Sequence, residues 1–122
     1  AYAPTDNVAE LTARANDEGW YQVFDSQFWH VGDALLVLSV GGGTLDVSFP
    51  LTTAITQANK RGIPVFGIVG RDGGYTKAKG DVVIVIPTIE PSRVTPHTEG
   101  WQSVILHAIV SHPDLQIRPT KW

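Results

Sequence analysis

The chain contains no cysteine and no methionine among its 122 residues. The absence of cysteine excludes disulfides, thiolate catalysis and cysteine-ligated zinc. No apolar run approaches the roughly 20 residues that a membrane-spanning helix needs, and no signal-peptide pattern is visible. We therefore expect a cytoplasmic protein that makes no contact with a membrane.

Charge is also scarce, since charged residues make up 17% of the chain and hydrophobic residues 43%, an ordinary globular composition. The net charge is −3, and the nine lysines and arginines form no run longer than Lys60-Arg61. A nucleic-acid groove needs a strongly basic face, so we expect no nucleic-acid partner. The length suits a single domain over residues 1–122.

The start of the chain resembles the end of a strand, because Ala1 to Pro4 form an apolar stub without an initiating methionine. Only three strands are recognisable further along, which is few for a parallel α/β sheet. Both observations predict that the chain is the C-terminal portion of a larger domain.

Three short apolar runs, at residues 34–39, 64–69 and 82–86, are typical of strands buried on both faces. Helical patterns separate them, which predicts parallel pairing in a helix-covered sheet. We expect the following helices: one capped by Thr5 and Asp6; one along the stripe Trp20, Val23, Phe24, Phe28 and Val31; one opened by Pro50; a short one over 75–79; and a last one over about 97–111.

The loop from Ser39 to Ser48 is the best candidate for a ligand site, because ligands of open parallel sheets bind beyond the carboxyl ends of the strands. It holds Gly41, Gly42 and Gly43, followed by Thr44. Glycines allow close approach of an anion, and the next helix adds free amides and hydroxyls. We predict a phosphate or carboxylate site; a flexible glycine turn is the alternative. The loop lacks both the P-loop and the dinucleotide glycine pattern, so we expect no nucleotide cofactor.

The last predicted helix carries His107, which shares a face with Gly100, Ser103 and Ser111. His107 suits an acid, a base or a metal ligand, and a hydrogen-bonded histidine at a subunit contact is the alternative. Glu99 precedes it by eight residues, about 12 Å of helical rise and about 80° of rotation. A carboxylate in the first turn of a helix also favours the helix dipole, which is the structural alternative for Glu99. If both serve one site, two copies of the chain must contribute.

Other polar residues have structural explanations that compete with a functional one. Asn16 and Asp17 are candidates for substrate binding but also for helix capping. Arg71 and Asp72 could reach a ligand, although a solvated turn explains them too. Trp20, Trp29 and Trp101 are expected in the core or an interface.

Four segments follow one another along the chain: Ala15-Asn16-Asp17; Gly32-Asp33 with the strand and serine-started loop after it; Gly70-Arg71-Asp72-Gly73-Gly74; and Thr95 to Gly100 leading to His107. In residues and order they resemble the SIS (sugar isomerase) family, and within it the phosphoheptose isomerases. The resemblance covers nearly the whole chain.

The resemblance implies a three-layer α-β-α sandwich with a parallel, flavodoxin-like or Rossmann-like sheet. It also implies aldose–ketose isomerisation of sedoheptulose 7-phosphate or a similar phosphosugar. Family members are homotetramers with active sites between subunits and commonly bind zinc, so self-association as a tetramer or dimer is expected.

By the same resemblance, Ser39, Thr44 and Ser48 would hold the substrate phosphate, and Asp17 would bind sugar hydroxyls. Glu99 would stand where the family has a glutamine metal ligand, and His107 would match its catalytic and metal-binding histidine.

The chain departs from the family pattern in two respects. Val40 and Gly41 replace two hydroxyl donors of the phosphate loop, and the loop is longer before the helix. The family's early strand, its Gly-Asn-Gly-Gly-Ser loop, and the helix with a metal-binding histidine and the catalytic glutamate have no counterpart in this chain. A non-catalytic phosphosugar-binding module or oligomeric scaffold is therefore the alternative to an isomerase.

Overall fold

The computed structural model describes residues 1–25, 30 and 32–119. The helices and strands in chain order are α1 (Val8–Asp17), β1 (Leu35–Ser39), α2 (Phe49–Lys60), β2 (Val65–Val69), α3 (Gly74–Lys79), β3 (Val82–Val85) and α4 (Val94–Ser111). The strands pair in parallel in the order β1-β2-β3. The predicted parallel α/β fold is confirmed. Within these residues no helix is both long and apolar enough to cross a membrane.

One face of the sheet packs against α2 and α3 and forms the core. Val37, Val65 and Val69 point to this side and meet Ile55 and Ala58 of α2. Val65 and Ala58 are fully buried. This face has the continuous apolar packing that the sequence predicts for a parallel sheet.

The opposite face of the sheet is covered mainly at its middle strand. The side-chain amide of Gln102 on α4 donates to the Ile68 carbonyl at 2.8 Å, and Ile68 is buried beneath the helix. In contrast, Leu36, Leu38 and Ile84 on the same face are 45%, 47% and 43% exposed. The prediction that all three strands are buried on both faces is therefore wrong for this face, because α4 packs against the middle strand β2 and leaves these side chains accessible.

The beginnings of two helices differ from the predictions. Helix α1 is capped by Asn7, whose side-chain oxygen accepts from the Glu10 amide at 3.2 Å, and not by Thr5 or Asp6. Helix α4 begins at Val94, three residues before the predicted start, because a 3₁₀ turn at Pro91–Arg93 leads into it. Its end at Ser111 is as predicted.

The stripe predicted to form a helix from Trp20 onward gives only a 3₁₀ turn, Trp20–Gln22, in its described part. Val23 is buried next to this turn, whereas the side chain of Trp20 is 59% exposed. Trp101 is also 54% exposed, so neither tryptophan lies in the core, and their role at an interface stays a prediction. Phe28, Trp29 and Val31 lie outside the described residues.

We predict that Gln102→Leu lowers the free energy of unfolding by about 1–3 kcal/mol, because it removes the buried hydrogen bond to the Ile68 carbonyl. Ser103→Ala, an exposed change one residue away on α4, should stay within about 0.5 kcal/mol of the parent. Urea unfolding followed by circular dichroism measures both. Equal stability of the two variants would contradict this account of how α4 docks.

Candidate functional site

The loops that follow β1 and β2 lie side by side at the carboxyl edge of the sheet. They are joined where the Gly70 amide donates to the Val40 carbonyl at 3.1 Å. This edge is where parallel α/β folds bind ligands. The candidate site is therefore built from the first loop, residues 40–48, and the second loop, residues 70–73.

The glycine triplet of the first loop is bonded to the beginning of α3. The Gly42 carbonyl accepts from the amide of Thr76 at 2.8 Å and from its hydroxyl at 2.7 Å. The Gly43 carbonyl accepts from the Tyr75 amide at 2.8 Å. These carbonyls satisfy amides that the first turn of a helix otherwise leaves unpaired, so the loop is packed in place.

The same packing explains why glycine is needed at these positions. Gly42 has a φ of +70°, and a β-carbon added to it would overlap the Gly73 carbonyl. A β-carbon on Gly74 would in turn overlap the carbonyl oxygens of Gly41 and Gly43. The two glycine-rich segments thus fit together only because both lack side chains.

Part of the donor set predicted to bind an anion is used within the loop. The Gly42 amide donates to the Ser39 hydroxyl oxygen at 3.1 Å, and the Ser48 amide donates to the Thr44 carbonyl at 3.1 Å. The amides of Gly41, Gly43 and Thr44 have no acceptor within the described part of the chain. The loop therefore keeps three backbone donors for a ligand.

Two of the predicted hydroxyl donors also stay available. Ser48 is the N-cap of α2, yet its side chain makes no capping hydrogen bond. The Ser39 oxygen accepts from Gly42, which leaves the hydroxyl hydrogen free to donate. Both serines therefore remain candidates for contact with an anion.

Asp46 places a carboxylate in the first loop, where the sequence pattern predicts no role for it. A hydrogen bond from the Thr44 hydroxyl, joined by the amides of Asp46 itself and of Val47, lowers the pKa of Asp46. Asp46 is thus ionised at neutral pH and stays so further into the acid range. Its charge opposes a bound anion, and it engages the hydroxyl of Thr44, a predicted phosphate ligand.

The candidate residues of α4 do not converge on one point. Thr98 and Gln102 are the buried residues of this helix and face the sheet. His107 lies nine residues after Thr98, about 180° around the helix, and both His107 and Glu99 are exposed. His107 therefore points away from the sheet.

The described residues contain no group of three histidine, aspartate or glutamate side chains placed to hold a metal ion. Glu99 and His107 would supply at most two of the three or four ligands that zinc takes from protein. These two residues alone do not fit a complete zinc site.

Asn16 and Asp17 are the last two residues of α1 and are exposed. They do not cap a following helix, because the next element is the 3₁₀ turn whose N-cap is Gly19. In the part of the chain that the structure describes, neither side chain is bonded to the two loops. Their predicted contact with sugar hydroxyls stays a prediction.

Thr76 belongs to the site although no sequence pattern predicts it. It is fully buried and fixes the position of the glycine triplet. A single threonine in a short helix carries no sequence signal, since only the fold brings it beside a loop 34 residues earlier.

No family model matches the chain. The phosphoheptose isomerase of Colwellia psychrerythraea is 30% identical over 125 residues, an alignment that takes in 98% of the chain and 60% of the relative. That of Clostridium acetobutylicum is 32% identical over 112 residues, covering 89% of the chain and 53% of the relative. The chain thus spans somewhat over half the length of these relatives.

Solved structures give the same result. The phosphoheptose isomerase of Neisseria gonorrhoeae superposes with a TM-score of 0.69 at 31% identity, covering 88% of the chain and 58% of that structure. The chain is phosphoheptose isomerase-like in sequence and fold. A phosphoheptose isomerase from Francisella tularensis, with a TM-score of 0.67 and 23% identity, shares the fold. The resemblance predicted from the four sequence segments is confirmed.

We predict that Gly42→Ala destabilises the protein by about 2–5 kcal/mol, because the new methyl group overlaps the Gly73 carbonyl and the positive φ disfavours alanine. Gly100→Ala is the matched control, since a β-carbon there meets nothing within 4 Å. In the helix interior it should stabilise by up to about 1 kcal/mol. Thermal unfolding measures both; a neutral Gly42→Ala would contradict the packing described for the two loops.

We predict that Asp46→Asn strengthens the binding of inorganic phosphate by about threefold to tenfold, because it removes a like charge from the loop. The parent should gain affinity only at acid pH, where Asp46 becomes protonated, whereas the variant should lack that gain. Isothermal titration calorimetry measures both. Asp114→Asn, which removes the same charge from the C-terminal tail, should change the affinity little. Equal affinities for Asp46→Asn and the parent would show that Asp46 does not oppose the anion.

Proposed function

We propose that the protein acts on a phosphorylated sugar and catalyses its aldose–ketose isomerisation, with sedoheptulose 7-phosphate as the first substrate to test. The observation that carries the proposal is the similarity to phosphoheptose isomerases along 98% of the chain. It is joined by a loop with unpaired amides at the carboxyl edge of the sheet. Backbone amides and hydroxyls at such a place suit a phosphate group.

The phosphate would be bound by the hydroxyls of Ser39 and Ser48 together with the amides of Gly41 and Gly43. Support comes from the geometry of the loop, in which these donors are not used by other described residues. Thr44 contributes its amide, since its hydroxyl is engaged with Asp46. Asn16 and Asp17 are proposed to bind sugar hydroxyls by the family resemblance.

His107 and Glu99 are proposed as acid/base groups. The isomerisation moves a proton between adjacent carbons through an enediol, so one group must remove that proton and return it. Both side chains are exposed, and His107 points away from its own sheet, which supports a site completed by a second copy of the chain. A dimer or tetramer with shared active sites is therefore part of the proposal.

Zinc stays a prediction of the family resemblance. Glu99 and His107 do not by themselves fit a zinc site, so no step of the reaction is derived through the metal. Zinc binding would require ligands beyond these two. Measuring the zinc content of the protein and of His107→Ala by mass spectrometry tests the prediction.

A non-catalytic phosphosugar-binding module is the second candidate. The observation that favours it is the absence of a converging acid/base pair within the described residues. Such a module would bind sugar phosphates through the same loop without turning them over.

We predict that the full-length protein converts sedoheptulose 7-phosphate, as followed by nuclear magnetic resonance of the sugar. His107→Ala should lower kcat by about 10²–10⁴-fold, because it removes the acid/base group. Ser48→Ala should instead raise KM by about tenfold, since it removes a hydrogen bond to a charged group. Thr5→Ala, in the segment before α1, is the control and should change neither constant.

The outcomes separate the two candidates. Binding of the sugar phosphate without turnover would support the non-catalytic module. If the protein neither binds nor converts any sugar phosphate, both candidate functions are wrong.

A further inference from the structure

Arg71 is the one non-glycine residue with a positive φ, 51°, among the residues that the structure describes. The left-handed region costs a residue with a β-carbon about 1–2 kcal/mol. Glycine would occupy this position without strain, and glycines stand close by on both sides at Gly70 and Gly73. The strained backbone is therefore a reason to ask what the arginine side chain contributes.

The side chain of Arg71 extends over the first loop. The point where Gly41 would carry a β-carbon lies 3.9 Å from Arg71 Cδ and 4.0 Å from Arg71 Nη1. The Arg71 side chain is thus next to Gly41, the first residue of the loop whose amide is unpaired. Two loops from different strands consequently bring a positive charge and backbone donors to one place.

The charge of Arg71 is not neutralised within the described part of the chain. Arg14 lies 3.4 Å from Glu10 and 3.6 Å from Glu18, whereas Arg71 has neither an ion pair nor a hydrogen bond there. The adjacent carboxylate of Asp72 is turned toward α3 and accepts from the Gly74 amide at 3.2 Å. The guanidinium therefore keeps its donors for a ligand.

We propose that Arg71 binds the phosphate group of the substrate, together with the amides of Gly41 and Gly43. The proposal rests on the proposed function, because it takes the ligand to be a phosphorylated sugar. A guanidinium donates two parallel hydrogen bonds to phosphate oxygens. It would supply the donors that Val40 and Gly41 do not provide, since neither residue has a side-chain hydroxyl.

Arg71 also offsets Asp46, the carboxylate of the same site. The loop without Arg71 would present a negative charge to an anionic ligand. The positive charge of the guanidinium compensates for this negative charge, so that a phosphate is attracted. This makes Arg71 a binding residue for the charged end of the substrate, with no part in the proton transfer.

The test is calorimetric titration of inorganic phosphate into the full-length protein and three variants. Arg71→Gly should raise the Kd by about tenfold or more, the loss expected for a hydrogen bond to a charged group. It should not reduce stability, because glycine accepts the positive φ. Arg71→Lys should recover part of the affinity, and Lys79→Gln, which removes an exposed charge from the end of α3, should stay within about twofold of the parent.

Turnover measured on the same proteins separates this proposal from the isomerase. In an active enzyme, Arg71→Gly should raise KM by a similar factor and leave kcat within about twofold. Phosphate binding that depends on Arg71 in a protein without turnover would uphold the role of Arg71 and overturn the isomerase. A parent that binds no phosphate, or an Arg71→Gly variant with unchanged Kd, would overturn the role of Arg71 whatever the turnover.

Discussion

The carbonyl groups of Gly42 and Gly43 hold the loop after β1 against the beginning of α3, and the candidate site depends on this contact. Thr76 bonds to Gly42 through both its amide and its hydroxyl, at 2.8 and 2.7 Å, and is fully buried. A buried acceptor with two donors fixes the position of the loop more firmly than its glycines alone would allow. The free amides of Gly41 and Gly43 are therefore held in fixed positions without a ligand, which would reduce the entropic cost of binding one.

Two charged side chains of opposite sign would then influence which ligand the loop accepts. Asp46 adds a negative charge to the loop, while Arg71 brings a positive charge from the loop after β2. Because the two loops are joined at Val40 and Gly70, the guanidinium is kept near the amides. On the proposed function, affinity for phosphate would be set by the difference between attraction to Arg71 and repulsion from Asp46.

The sequence predicted the strands and the loops well because both depend on local patterns. The apolar runs at β1, β2 and β3 are long enough to identify, and Pro50 marks the beginning of α2. The exposed face of Leu36, Leu38 and Ile84 was not predictable, since an apolar strand looks the same whether or not a helix covers it. The start of α1 shifted because Asn7, whose capping role depends on its side-chain rotamer, replaced the expected cap. The start of α4 shifted because a 3₁₀ turn leads into it.

The location of the candidate site was predictable, whereas the roles of its individual residues were less so. Parallel topology alone places residues 40–48 and 70–73 at one edge, and the glycine triplet marked the first of them. The roles of Thr76 and Arg71 depend on contacts across 34 and 30 residues of chain, which no local pattern records. The orientation of His107 likewise required the buried face of α4, which is formed by Thr98 and Gln102, two polar residues that hydrophobic patterning does not mark.

The fit between the two glycine-rich segments also bears on how such proteins can be recombined. Gly42 packs against the Gly73 carbonyl, and Gly74 packs against the carbonyls of Gly41 and Gly43. Each segment therefore fits only against the other. A chimera that imports the first loop from a relative without the matching turn after β2 would bring mismatched surfaces together. Exchange of ligand preference between homologues would therefore succeed only when both segments are transplanted as one unit.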